Sequence, residues 1–298
     1  MTAPAETPVD LPLPVLGSLS PSRASDFMTC PLLFRYRTID RLPQAPSSAA
    51  TRGTVVHSVL ERLYDLPAAE RTLAAAEGLL EPAWEELRAE EPEVDGLFAD
   101  EAELTAWLRS ARDLLAGYFS LEDPTRLEPA ERERLVEVVL PGGLRLRGIV
   151  DRLDRNRDGD LRVVDYKTGR APGEMFEGKA LFQMKFYALV LWRTTGRVPR
   201  LLQLMYLGDR EVLRYSPDEA DLRATERKLL ALWEAIERAT QLRDFRPRPS
   251  KLCDWCDHQA LCPSFGGTPP PFPDVVPGPD VPLPHQRAAV LAAERADG

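Results

Sequence analysis

The run Gly148 to Gly169, GIVDRLDRNRDGDLRVVDYKTG, holds the residues best suited to chemistry: Asp151, Asp165 and Lys167. Two carboxylates and an amine in one small volume can hold a divalent cation against a phosphodiester and stabilise the negative charge that builds on phosphorus during hydrolysis. Whether they meet depends on pleat and register. Successive strand residues point to opposite faces, so along a strand Leu161 to Lys167 the side chains of Leu161, Val163, Asp165 and Lys167 share one face. A two-residue Asp158-Gly159 loop would set Asp151 against Tyr166 and leave the aspartates on opposite faces. A three-residue loop, Arg157-Asp158-Gly159, gives the glycine the left-handed position such loops need, pairs Asn156 with Asp160 and sets Asp151 opposite Asp165. Facing β-carbons are roughly 5 Å apart, close enough for two carboxylates to ligate one ion. Without a cation their charges repel.

A second group with ligand spacing is Cys253-x2-Cys256-x5-Cys262-Pro263. Two cysteines separated by two residues grip one metal centre, and the third is within a loop's reach. The residues leave two fourth ligands open: His258, which would complete a zinc site, or Cys30 from the start of the ordered chain. A helix over Gly53 to Tyr64 has Val56, Val59, Leu60 and Leu63 as its apolar stripe and presents His57, Glu61 and Tyr64 on an adjoining face. A lone histidine there is more often structural; one beside a carboxylate, in a chain with three histidines, is a candidate metal ligand. Phe34-Arg35-Tyr36-Arg37 mixes aromatic and basic residues as a surface for phosphates and bases would, and as a solvated amphipathic edge would too.

The elements that position these residues can be read in order. The first 17 residues, with Pro4, Pro8, Pro12 and Pro14, read as a flexible arm. Ser20-Pro21 is an N-cap followed by a first-turn proline, opening a helix that ends near Cys30-Pro31. From about 66 to 122 the chain is rich in Ala, Glu and Leu and reads as a helical insertion, with Glu85, Glu86, Glu90 and Glu91 as a solvated face. Strands follow at Arg132 to Leu140, Leu144 to Asp154 and Leu161 to Lys167, then a helix from Ala180 to Trp192 that sets Gln183 and Tyr187 one turn apart. Arg200 to Leu207 and Glu211 to Tyr215 form a second hairpin, and the Ser216-Pro217-Asp218-Glu219 capping box opens a helix to about Leu242. The order indicates an α/β or α+β fold with a small mixed sheet. Residues 266–298 read as a Pro-rich tail with a short helix from Pro284 to Ala296.

Composition sets outer limits. With 298 residues, 44% apolar and 29% charged, the chain is globular and can build a sizeable core. Its net charge of −9 argues against a general basic coat for nucleic acid but not against a local groove. No apolar run reaches transmembrane length and the start lacks a secretory pattern, so the expected setting is cytoplasmic, where four cysteines favour metal ligands or buried thiols over disulfides.

Taken together, Gly148-x-x-Asp151-Arg152, Asp165-Tyr166-Lys167-Thr168-Gly169, Gln183-x-x-x-Tyr187 and the upstream Gly53-x-x-x-His57 resemble the RecB-like branch of the PD-(D/E)xK nucleases. One N-terminal cysteine with three C-terminal ones is similar to its iron-sulfur subset, which includes CRISPR-associated exonucleases and helicase-nuclease subunits. The resemblance covers roughly Leu19 to Pro263; Val150 stands where the superfamily's name has proline. It implies a restriction-endonuclease-like core over 18–265 with a cysteine-cluster cap, and a DNA exonuclease acting on single-stranded ends in repair or recombination. His57, Asp151, Asp165 and the Tyr166 carbonyl would ligate Mg2+ or Mn2+. Lys167 would orient or activate water: held beside a cation and partly desolvated, it should have a lowered pKa and could act as a base, with charge stabilisation equally consistent; Gln183 and Tyr187 would position the strand or the lysine. Cys30, Cys253, Cys256 and Cys262 would hold a structural [4Fe-4S] cluster, with Zn2+ as the alternative. Arg35, Arg37 and Arg152 are candidate DNA contacts. No G-x-x-x-x-G-K-[ST] run is present, so a helicase partner would supply any unwinding. The competing readings are a non-catalytic DNA-binding module of the same fold, a glycosidase using paired acids, in which the lysine has no role, and a zinc-binding interaction protein.

Overall fold

Glycine at position 159 decides how the second and third strands meet. Its φ of 80° is one that side-chain-bearing residues adopt at a cost. The turn closes with Asn156 N–H donating to Asp160 O at 3.1 Å and Gly159 N–H to Asn156 O at 3.0 Å. This is the three-residue loop expected from the sequence, and the strand pairs Arg152 with Val164 and Arg155 with Leu161, the register that brings Asp151 towards Asp165.

The computed structural model describes residues 17–171, 173 and 177–273. The strands are β1 (Glu131–Val139), β2 (Arg145–Arg155), β3 (Leu161–Lys167), β4 (Leu201–Tyr206) and β5 (Glu211–Tyr215). They form one mixed five-stranded sheet in chain order, antiparallel except that β3 and β4 run parallel. A parallel pair needs a crossover, supplied here by a helix, α7 (Glu177–Thr195). The remaining helices are α1 (Pro21–Thr29), α2 (Pro31–Phe34), α3 (Ser48–Leu63), α4 (Leu73–Gly78), α5 (Leu80–Glu90), α6 (Glu101–Leu121) and α8 (Glu219–Gln241).

β3 is buried on both faces, and its alternation sorts the core into two layers. Val164 and Tyr166 pack with Leu60 and Leu63 of α3, Trp84 of α5 and Leu115 of α6. Val163 packs with Ala24 of α1, Met184 and Ala188 of α7, and Leu229 of α8. The stretch read as an insertion is therefore helical and also forms one layer of the core. Several boundaries moved. α7 runs three residues further at each end than Ala180 to Trp192. α3 begins at Ser48, five residues before Gly53. α8 is capped by Asp218 in a capping box with Asp221, not by Ser216; Pro217 still precedes the cap. The arm (apart from Gly17) and the helix expected from Pro284 to Ala296 lie outside the described residues.

Candidate metal centre

The β2–β3 ladder runs to the pair Arg152–Val164; one residue further, the Tyr166 N–H donates to Asp151 Oδ2 at 2.7 Å. α3 crosses here. His57 Nε2 lies 3.0 Å from the Tyr166 carbonyl oxygen, and Nδ1 lies 3.5 Å from Asp151 Oδ2. A carbonyl only accepts, so a neutral ring places its proton on Nε2 and turns the Nδ1 lone pair towards the carboxylate. Two acceptors facing one another leave a place for a cation or a proton.

Glu133 completes this corner, and sequence reasoning missed it. It lies between the pairs Arg132–Arg152 and Arg134–Val150, which puts it across from Asp151, with a φ of 43° that strains a side-chain-bearing residue. His57, Glu133 and Asp151 offer ligand atoms within 4.8 Å of one another, the one such group of three among the described residues. A signal was available: a β1–β2 hairpin centred on Pro141-Gly142-Gly143 already sets Glu133 against Asp151.

Asp165 is buried beside them. Its Oδ2 is 2.6 Å from Lys167 Nζ, which also donates to Gln183 Oε1 at 2.9 Å; Gln183 Nε2 in turn donates to the Tyr187 hydroxyl at 3.0 Å. The Tyr187 ring occupies the space a side chain at 148 would need, since a Cβ there would come within 2.6 Å of it. The glycine of the Gly148-x-x-Asp151 motif thus lets α7 lie against β2.

Burial pushes the Asp151 carboxyl up to about 6; His57 opposes the shift and Asp165 adds to it. Burial also drives the Glu133 carboxyl well above the usual carboxylate range, with the Asp151 charge next in weight. Lys167 departs from expectation. Its burial pulls the amine down, but the charges of Asp165 and Asp151 outweigh it and the net shift is upward, so the metal-free protein holds a firmly charged lysine. The oxygen and imidazole donors suit a hard or borderline divalent cation.

The four cysteines converge at the other end of α1. Cys30, Cys253, Cys256 and Cys262 line one cavity of about 60 Å3, all half-buried and none in a disulfide. The C-terminal segment is tied to α1 and to the turn that follows α2 by Tyr36 OH donating to Leu261 O at 2.7 Å and by Arg248 Nη1 donating to Met28 O at 2.6 Å. Backbone N–H groups of Arg248 and Ser250 donate to the sulfurs of Cys30 and Cys253, each at 3.3 Å. His258 lines the same cavity, edge-on to Tyr36.

The expected basic contacts are placed otherwise. Arg152 is fully buried, donating to the hydroxyls of Tyr64 and Tyr166 at 2.9 and 2.8 Å and pairing with Glu122 and Asp154 at 2.7 and 3.1 Å. Burial with two carboxylates leaves it no free charge for DNA. Arg35 is buried against Asp40, also withdrawn from solvent, and Arg37 pairs with Asp26 while keeping part of its surface exposed.

A family profile described as the PD-(D/E)XK nuclease superfamily matches residues 18–263. The chain belongs to that superfamily. As a PD-(D/E)XK protein it is a member of a family of metal-dependent nucleases, with the mixed α/β core described above. It is 24% identical over 290 residues to the "Gene 69 protein" of Mycobacterium phage L5, a match covering 83% of this chain and 96% of that one. The "Gene 69 protein" of Mycobacterium phage D29 is 27% identical over 293 residues, covering 87% and 99%. A crystal structure from Eubacterium rectale, described provisionally as an exonuclease, has a similar fold, at a TM-score of 0.54 and 14% identity, covering 81% of this chain and 88% of that one. No described helix is long and apolar enough to cross a membrane.

Proposed function

We propose that this chain is a Mg2+- or Mn2+-dependent deoxyribonuclease of the RecB-like branch, acting as an exonuclease on single-stranded DNA ends in repair or recombination. The observation that carries the reading is the convergence of His57, Asp151 and the Tyr166 carbonyl beside the Asp165–Lys167 pair. His57, Asp151, Asp165 and the Tyr166 carbonyl would hold the cation, with Glu133 as a further carboxylate within reach. A divalent cation bound there would lower the pKa of a water ligand and offset charge on the phosphoryl group.

The chain's own groups then divide the work. Lys167, kept charged by Asp165 and fixed by Gln183, stabilises the developing negative charge and orients the attacking water. Tyr187 holds Gln183 from behind. Below its pKa of about 6, the Asp151 carboxyl would give up its proton to bind a cation.

The proposal extends to the cysteines as a structural [4Fe-4S] site that joins the two ends of a domain spanning about 18–265, followed by the tail from 266. Its support is the sulfur spacing and the N–H donors. Among the described residues no three cysteine sulfurs lie within 4.8 Å of one another, whereas a thiolate zinc site with bonds of about 2.3 Å holds its sulfurs closer than that. Free thiols suit a reducing, cytoplasmic setting. Any unwinding would come from a helicase partner.

The test is cleavage of end-labelled single-stranded and duplex DNA with Mg2+, Mn2+ or EDTA, together with Lys167→Ala. Metal-dependent cleavage that is lost in the variant while DNA binding persists supports the reading; unchanged turnover in the variant removes the lysine from the mechanism.

A further inference from the structure

The face of β2 that carries Asp151 continues away from the metal centre. By the pleat, Asp151, Ile149, Arg147 and Arg145 point one way, Val150, Gly148 and Leu146 the other. Burial follows this alternation: Leu146 and Val150 are fully buried, while Arg145, Arg147 and Ile149 keep part of their surface exposed and the Asp151 side chain is 10% exposed. On β1 the facing residues are Leu135 opposite Ile149, Glu137 opposite Arg147, and Val139, 59% exposed, opposite Arg145. Beyond the metal centre come an apolar rung, then a charged rung, then a rung that is basic on one strand and apolar on the other.

A further cation stands beside Arg147. Leu19 is hydrogen-bonded between Arg145 and Arg147, its N–H donating to Arg145 O at 2.8 Å and its carbonyl accepting from Arg147 N–H at 3.0 Å. Arg23 folds back to this segment, Nη1 donating to the carbonyl and hydroxyl of Ser18 at 3.2 and 3.3 Å. Arg23 is 8% exposed, and among the described residues neither it nor Arg147 has a carboxylate at ion-pair distance. Burial, then the charges of Arg41 and Arg147, bring the Arg23 pKa down to about 10. Positive charge is thus gathered at one place in a chain whose net charge is −9.

Side chains on one strand face recur about every 6.6 Å, a repeat that suits the backbone of an extended single strand. Cation-lined grooves with apolar platforms are how proteins track such a strand without reading its sequence. We propose that the outward face of the β1–β2 hairpin carries the DNA backbone away from the metal centre, with Arg147 on a phosphate about two nucleotides from the scissile one. Ile149 and Leu135 lie under the sugar and base between. This deepens the nuclease reading and rests on it for the place of the scissile phosphate. Glu137, across from Arg147, opposes the same phosphate.

The test uses the full chain and a fluorescein-labelled single-stranded oligodeoxynucleotide, with binding followed by anisotropy in EDTA across a range of NaCl. Arg147→Gln weakens binding about fivefold and makes the slope of log affinity against log salt shallower by about 0.7, the amount expected for one phosphate contact on a single strand. Glu137→Gln moves affinity the other way, tightening it about twofold. An Arg147→Gln protein that melts like the wild type with an unchanged salt slope overturns the track; if that variant fails to fold, an unchanged affinity in Glu137→Gln does so instead. Cleavage in Mn2+ separates the two claims. A wild type that binds with an Arg147-dependent slope but cuts nothing sinks the nuclease reading and keeps the track. A wild type that cuts, with both variants binding as it does, sinks the track alone.

Discussion

Asp151 and Tyr166 are joined where the β2–β3 ladder ends: the Asp151 carboxylate accepts the Tyr166 N–H at 2.7 Å. The same residue offers its carbonyl to His57 at 3.0 Å. One peptide segment is therefore held from both sides, and its carbonyl oxygen is aimed before any cation arrives. Asp151→Asn keeps an oxygen that can accept the N–H but loses the charge a cation needs. The expected result is a folded protein with kcat lowered about a thousandfold, checked by steady-state cleavage of labelled DNA alongside circular dichroism.

Glu133 makes the opposite trade between stability and function. Its carboxyl is buried among Asp151, Glu61 and Asp165, so its charge is a cost until a cation offsets it. Glu133→Gln should raise the melting temperature of the metal-free protein by about 3 °C and lower its Mn2+ affinity. Thermal unfolding with and without Mn2+ reads both, and a lower melting temperature in EDTA would contradict the assignment.

The pH dependence follows from Asp151, whose carboxyl sits at about 6 in the folded protein against an ordinary 3.8. Between those values the folded chain binds a proton that the unfolded chain does not. This group's contribution therefore makes the metal-free protein more stable as pH falls through that window, and levels off below it. The same proton competes with the cation, so apparent Mn2+ affinity should drop about tenfold per unit below pH 6. Asp151→Asn cannot titrate, and melting curves of the two proteins from about pH 4 to pH 8 isolate the effect.

Arg152 carries a structural prediction instead of the DNA contact its motif suggested. Replacing it with Leu leaves Arg162 as the one arginine paired with Glu122 and Asp154 and removes a donor shared by the hydroxyls of Tyr64 and Tyr166. The expected loss is about 3 kcal/mol, measured by urea unfolding, with DNA affinity falling only as far as folding does.

Much of the site was legible because it rests on the period of two and on turn chemistry. Gly159 required a left-handed loop position, and that alone chose the register seen as far as the pair Arg152–Val164, one residue short of Asp151. Glycine at 148 was readable as a motif, although the Tyr187 ring that explains it comes from a helix about 40 residues later. What could not be read was burial of charge. Arg152 and Arg147 both lie on β2 with basic side chains, yet one meets three tyrosines, from the C-cap of α3, from α6 and from β3, while the other stays partly exposed. Which fate each meets depends on helices packed from elsewhere in the chain. The rise in the Lys167 pKa was missed for a related reason, because its sign depends on the 2.6 Å contact with Asp165 outweighing burial.

The most direct measurement is a crystal grown with Mn2+ and its anomalous difference map. A peak bounded by His57, Asp151, Asp165 and the Tyr166 carbonyl is the predicted result, and it should vanish in Asp151→Asn. Manganese bound elsewhere, with that corner closed by a direct Asp151–His57 contact, would contradict the account.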